Sequence, residues 1–367
     1  MRIRKHLVWI VPLIVLDVAL FAWHRARSQR HTEEALLMPA PVPAEAGGAI
    51  SPWRNMRFPT DQTNLLSTNL AGIFQPTASG NPESGLYGSV RTEKNGSGLM
   101  AHFHEGIDIA ALQRDRSGRP LDKAYAVADG VVGYINRVAG KSNYGKYVVL
   151  LHHDPVGEVY TLYGHLAEVE KHLSVGQNVS PGQVLGQMGN TSSAGIPMER
   201  AHLHFEIGLI CNAHFAEWYR AKKLKPDHGN FNGHNFFGAN PRDAFADRRQ
   251  NPDFTFQSHL ALLPTAFEVI LAASKRPEFF DRYPSLWQGP EFDGGPMVVD
   301  CTENGLPLKG RRATDSERAM LGGQRSAVLM ADEKVLGRNG CRLVVNTPRG
   351  WKIGQSGVQW LEVLEYY

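Results

Sequence analysis

Ala201-His202-Leu203-His204-Phe205-Glu206-Ile207 is the stretch whose reading decides the fold. Along a strand, residues two apart face the same side. His202 and His204 therefore stand together, and one imidazole can bind a metal while its neighbour faces the same water. Two further clusters precede it in the chain: His104-Glu105-Gly106-Ile107-Asp108, and Tyr163-Gly164-His165-Leu166. Gly106 lets the backbone pass close to a metal and takes angles other residues resist. Asp108 leads into Ile109-Ala110-Ala111, expected to be a buried strand. Three of these side chains suffice for a catalytic zinc site, which keeps its fourth position open. A mixed shell of imidazole and carboxylate suits Zn²⁺ better than Ca²⁺ or Mg²⁺, which prefer oxygen.

Other histidines compete. The chain has 15 of them, so some pairing arises by chance. His102 offers a second His-x-His with His104, and His152-His153 reads as a possible pair. Both are expected at strand ends or on the surface, with Asp154-Pro155 forming a turn. Cys211 reads as a small buried residue.

Taken in order, the three motifs resemble the lysostaphin/LytM family of zinc endopeptidases, which cut peptidoglycan peptides. Residues 88–91, 126–132, 144–149, 175–186 and 189–191 are similar to the segments around those motifs. The resemblance covers residues 85–245, less than half of the chain. It implies His104, Asp108 and His204 as ligands of one Zn²⁺ per chain. It implies His165 and His202 as the pair that polarises the water and moves protons, without deciding which is base and which is acid. None of the five is substituted. Zinc lowers the pKa of bound water from near 16 to roughly 7. An imidazole near its ordinary pKa of about 6.5 can then take a proton and pass it to the leaving amine. For the oxyanion the only nearby upstream tyrosine is Tyr87, and Arg91 is an alternative anchor for a substrate carboxylate. The implied partner is peptidoglycan peptide. The rival class is a non-hydrolytic cell-wall module that regulates another hydrolase, as in relatives that lost ligands. A carboxypeptidase of related geometry is a third reading.

The expected fold class is mainly β: an antiparallel β-sandwich or saddle with a groove, an N-terminal membrane segment and a smaller C-terminal β domain. Alternating runs at 124–127, 131–135, 147–151 and 159–163, separated by Gly and Asn turns, carry that expectation. Residues 1–27 combine Arg2, Arg4 and Lys5 with an apolar run over 7–23, broken by Pro12 and Asp17. They read as a signal-anchor in the inner membrane, with a cleaved signal peptide as the rival. Both readings export the rest to the cell envelope. Residues 28–55 read as a flexible linker, with order starting near Phe58. Residues 56–248 read as the metallopeptidase domain, in which 56–84 wraps the core and can cover the groove. Within it, 215–223 reads as a short basic helix. The aromatic and amide loop 230–238 reads either as a groove wall or as local packing. Residues 249–290 read as a connector with a helical pattern over 259–274. Residues 291–367 read as a small β domain with strands at 297–299, 327–330, 341–345 and 358–363.

Hydrophobic content of 42% and charged content of 20% fit an ordinary globular chain. A net charge of +3 is too diffuse to argue for nucleic acid. Three cysteines are an odd count. In an exported protein Cys301 and Cys341 are candidates to pair, leaving Cys211 reduced.

Overall fold

A computed structural model describes residues 51–95, 98–225 and 227–367. Among them β structure dominates. Strand pairing is antiparallel throughout except between Trp287–Gln288 and Pro307–Arg312. The largest sheet runs in the order Phe236–Ala239, His202–Ile210, Gly157–Leu166, Lys146–Asp154, Gly130–Asn136, Asn178–Val179. A further strand, Ile107–Ala110, shares one edge of His202–Ile210 with Phe236–Ala239. It pairs with residues 202–205, while the latter pairs with 207–210.

Alternation sorts the side chains of this sheet. Val148, Leu150, Val159, Tyr163, Leu203, Phe205 and Ile207 enter the main core. A second sheet, built from Lys123–Tyr125, Val184–Gln187 and Glu168–Val169, adds Ala124, Leu185 and Val169 to that core. On the opposite face Tyr147, Val149, Tyr160 and Leu162 pack with Phe231 and Phe236 of the 230–238 loop. The helix expected over 215–223 is Phe215–Ala221.

The N-terminal readings need correction where the structure reaches them. Residues 1–50, which include the expected membrane segment and most of the linker, lie outside the described residues. From Ser51 onward the chain already belongs to the core. Trp53 is fully buried. Its indole N–H donates to Asp154 Oδ2 at 2.8 Å, and its ring lies 4.9 Å from the His152 ring. A single large aromatic carries enough burial to anchor a stretch whose composition looks like linker. Asp154 also accepts from the backbone N–H groups of Phe256 and Gln257. His152 is an interior residue, contrary to the surface expectation. Its ring bridges the Asp129 carbonyl and the Thr161 hydroxyl, both at 2.8 Å. Among the described residues, no helix is long and apolar enough to cross a membrane.

Three readings of the C-terminal part are corrected. The pattern read as helical over 259–274 splits into a helix, Phe256–Leu260, and a strand, Phe267–Ala273. Pro264 lies between them and stops the helix. In the strand, Phe267, Val269, Leu271 and Ala273 face the main core and Ile270 faces the other side. This strand is internal to a five-stranded sheet in the order Trp287–Gln288, Pro307–Arg312, Gly295–Cys301, Phe267–Ala273, Ser326–Ala331. The run 358–363, read as a strand, lies within the helix Gln355–Leu364. Its buried Gly357, Trp360, Leu361 and Leu364 follow the helical period. Cys301 and Cys341 do not pair, and all three cysteines are free thiols. Cys301 sits in the core near Cys211, whereas Cys341 lies near Glu105 and Glu303.

The C-terminal sheet shares its core with the larger sheet. Phe267, Val269, Met297 and Trp360 belong to one cluster with Phe205 and Ile207. Asn212 Nδ2 donates to the carbonyls of Val363 and Tyr366, both at 2.7 Å.

Buried His152 generates a pH prediction. Burial lowers its pKa to about 4, against about 6.5 in an unfolded chain. Between those values the unfolded state binds more protons, so stability falls as pH drops from about 6.5 to about 4. One such ring accounts for a loss of about 3 kcal/mol. Denaturant titration at neutral and acidic pH is expected to show a smaller acid-induced loss in His152→Gln than in the wild type. Equal losses would contradict the assignment.

Candidate metal and active site

The strand His202–Ile210 presents His202, His204 and Glu206 on the face opposite Leu203, Phe205 and Ile207. Its register sets His204 across from Asp108 on one side and from Gly164 on the other. Directly opposed residues have Cβ atoms about 4.5–5.5 Å apart, so imidazole and carboxylate meet. His104 arrives through Gly106. A Cβ at Gly106 would stand 2.4 Å from the Phe205 carbonyl oxygen and 3.0 Å from the His204 ring. The crossing at that point therefore requires glycine.

The result is a compact triangle. His104 Nε2 lies 3.0 Å from Asp108 Oδ1 and 3.2 Å from His204 Nδ1, and the last two atoms are 2.9 Å apart. The three residues form a group able to hold a metal ion. Donors around a tetrahedral ion with bonds of about 2.0–2.1 Å stand about 3.3 Å from one another, so the set fits such an ion. The other ring nitrogens are engaged as well. His104 Nδ1 faces the Leu86 carbonyl oxygen, and His204 Nε2 faces Glu206 Oε1, each at 2.8 Å. An acceptor on one nitrogen holds the proton there and frees the other nitrogen's lone pair for a metal. Glu206 is held in turn by the Tyr160 hydroxyl at 2.9 Å and by Tyr144.

The electrostatics favour positive charge at the centre. Burial alone would raise the Asp108 pKa, but the His104 and His202 rings and the Arg91 guanidinium outweigh it and hold the carboxyl well below its usual range. Burial likewise opposes charge on His204, yet its hydrogen bonds to Asp108 and Glu206 lift it to about 9. A metal ion entering this shell displaces that proton.

His202 and His165 flank the triangle. His202 Nδ1 donates to the Arg200 carbonyl at 2.7 Å, and its Nε2 lies 3.3 Å from Asp108 Oδ1. His165 Nδ1 donates to the Thr191 carbonyl at 2.9 Å, and its ring centroid is 4.7 Å from that of His202. Simple alternation would turn His165 away from the face that Gly164 shares with His204. A bulge reverses this. Lys146 pairs with Leu166 and Val148 with Tyr163, so Gly164 and His165 together oppose Tyr147. His165 has φ +59°, a left-handed conformation uncommon outside glycine. Bulges re-aim side chains in this way. Burial and the neighbouring His202 and His204 lower the His165 pKa well below its usual value, which keeps the ring neutral.

The structure thus brings together all five residues singled out in the sequence. It does not keep the two oxyanion and anchor candidates free. The Tyr87 hydroxyl donates to the Gly238 carbonyl at 3.1 Å, and Arg91 is bound to Asp108 Oδ2 at 2.6 Å and to the Ser84 carbonyl. Of the competing histidines, His102 is exposed and outside the triangle, His152 is in the core, and His153 is exposed. Four features were missed: Glu206, Tyr144, the Leu86 carbonyl and the bulge. Only Glu206 had a signal, as the third same-face residue in His-x-His-x-Glu.

The site opens into a cleft of about 1380 Å³. That exceeds the roughly 300–1,000 Å³ of a small-molecule pocket and leaves room for an extended peptide. Residues of the 75–91 segment line one wall, tied to the site by Gln75 N–H donating to the Asp108 carbonyl at 2.8 Å. Lys141, Tyr144, Ser193 and the 232–234 tip of the aromatic loop line the other. The loop therefore serves both readings, packing through its phenylalanines and lining the cleft through its tip.

Two imidazoles and a carboxylate thus face one another in a β groove, a donor set able to hold a metal ion. Residues 102–214, just under a third of the chain, match Peptidase family M23. The likeness to that family is confined to this segment. Likeness to a peptidase family supports a peptidase. No curated protein matches the chain. Among solved structures, the catalytic domain of lysostaphin from Staphylococcus simulans is 24% identical, covering 34% of this chain and 76% of that one, with a TM-score of 0.25. LytM from Ruminococcus gnavus is 26% identical, covering 29% and 39%, with a TM-score of 0.22. The catalytic domain of prophage-encoded EnpA from Enterococcus faecalis is 23% identical, covering 32% and 80%, with a TM-score of 0.22.

Glu206 is expected to tune the site through His204. Glu206→Gln should weaken zinc affinity about 10–100-fold, measured by competition with a chromophoric chelator. Unchanged affinity would show that this carboxylate plays no part in holding the ligand.

Proposed function

We propose that this chain is a zinc-dependent endopeptidase that hydrolyses the peptide cross-links of peptidoglycan. His104, Asp108 and His204 hold the metal, and His165 and His202 handle protons. One observation carries the reading. Three donor atoms from two strands and the turn before one of them converge within 3.2 Å, while both flanking imidazoles commit Nδ1 to a backbone carbonyl, and His202 Nε2 faces the triangle 3.3 Å from Asp108 Oδ1.

A zinc ion in that shell supplies Lewis acidity, making hydroxide available near neutral pH and polarising a carbonyl. The protein residues do the rest. Nε2 of His165 and of His202 are the two basic atoms beside the triangle, one to take a proton and one to return it to the leaving amine. The carbonyls of Thr191 and Arg200 fix both rings in the tautomer this requires. Arg91 holds Asp108 through its second oxygen, and Glu206 orients His204. The cleft walls position the peptide over these groups. A wall substrate also requires export, the role that the sequence reading assigns to residues 1–27.

Purified peptidoglycan incubated with the zinc-loaded full chain is expected to release peptide fragments with new amino and carboxyl ends. A chelator should stop the release and added zinc restore it. Absence of fragments from metal-loaded protein would contradict the proposal. Separately, His165→Ala and His202→Ala should each lower turnover by about 10²–10⁴-fold while one zinc per chain remains. Loss of zinc in His202→Ala would move that residue into the ligand set.

A further inference from the structure

The cleft has a lining that the family-matching segment does not supply. Glu303 and Arg338 of the C-terminal region line it beside Tyr87 and Glu105. The junction is built from specific contacts. Asn304 Nδ2 donates to the Gly238 carbonyl at 2.8 Å, the same carbonyl that accepts from the Tyr87 hydroxyl. Glu303 Oε1 lies 3.3 Å from where a Cβ on Gly88 would stand. Gly88 in turn donates its N–H to the His104 carbonyl at 2.9 Å. The Glu303 carboxylate is thus one backbone segment away from a candidate metal ligand.

Glu303 is half-buried, and among the described residues its carboxylate makes no ion pair or hydrogen bond. Burial pushes its pKa up to about 7 with nothing opposing the shift. A carboxylate withdrawn from water without a partner is costly. Such groups in clefts are candidates for function. A cation brought by the ligand would compensate it. A compact ammonium suits a single carboxylate in a narrow wall, whereas a guanidinium favours a paired, two-point partner.

We propose that Glu303 is a substrate-binding residue that receives a primary ammonium group of the peptide in the cleft. The C-terminal region is then a wall of the active site and a source of its specificity. This rests on the peptidase reading, since the cleft is assigned to a peptide.

Two synthetic cross-linked stem peptides test it, identical except that one free amine is acetylated in the second. Both are given to the zinc-loaded full chain, wild type and Glu303→Gln, with zinc content measured in each. For the free-amine peptide, KM is expected to rise about tenfold in the variant, with kcat and zinc content unchanged. For the acetylated peptide, KM should match the wild type. Equal responses to the two peptides, or no change with the free amine, would overturn the proposal. If the wild type cleaves neither peptide, the peptidase reading fails and binding calorimetry decides Glu303 separately. A wild-type preference for the free amine that Glu303→Gln abolishes supports the proposal. No preference in the wild type overturns it.

Discussion

The register of one strand governs this molecule. His202–Ile210 pairs with Ile107–Ala110 on one edge and with Gly157–Leu166 on the other, placing His204 across from both Asp108 and Gly164. Side chains alternate along a strand, so a slip of one residue would turn His204 into the core and Phe205 into the cleft. The apolar set Leu203, Phe205 and Ile207, all fully buried, makes that slip expensive. Burial of greasy residues on one face therefore fixes the position of ligands on the other. Gly106 lets the neighbouring segment approach closely enough for the donors to touch.

The polar side of this arrangement is costly and closely compensated. His104, Asp108, His204 and Glu206 are all buried. Each finds partners: a backbone carbonyl, an arginine, a second carboxylate or a tyrosine hydroxyl. The His165 backbone adopts a left-handed conformation, held by the bulge and by its N–H donating to the Tyr144 carbonyl at 2.7 Å. Strain of this kind persists where surrounding structure over-determines it, and it clusters at functional sites.

Much of the site was legible because its chemistry is local. His-x-His on a strand and His-x-Gly-x-Asp before another are short patterns with a direct geometric meaning. The bulge at Gly164 and His165 was not, because it depends on the count of residues in a partner strand. Glu206 was overlooked although the same alternation that pairs His202 with His204 extends to it. In the part around the candidate site, alternating runs marked the main strands well. Beyond residue 260 the runs 297–299 and 327–330 do lie in strands, but two other runs misled. Phe267–Ala273 is apolar at every position but Glu268, too weak an alternation to mark a strand, so Pro264 was the better guide. Gln355–Leu364 has β-branched and aromatic residues that favour strands, yet tertiary packing of Trp360, Leu361 and Leu364 against the shared core makes it a helix. Trp53 shows the same override at the other end, where one buried indole organises a stretch that reads as linker.

The shared core also changes how the C-terminal part is understood. Its central strands pack into the cluster that supports the ligand strand, and its loops reach the cleft. Everything in the account rests on one convergence at the centre. X-ray diffraction from zinc-loaded crystals, with anomalous data at the zinc edge, tests it most directly. The account predicts one zinc bonded to His104 Nε2, Asp108 Oδ1 and His204 Nδ1 at about 2.0–2.2 Å, with no fourth protein ligand. Zinc bound elsewhere, or a shell closed by His165 or His202, would contradict it.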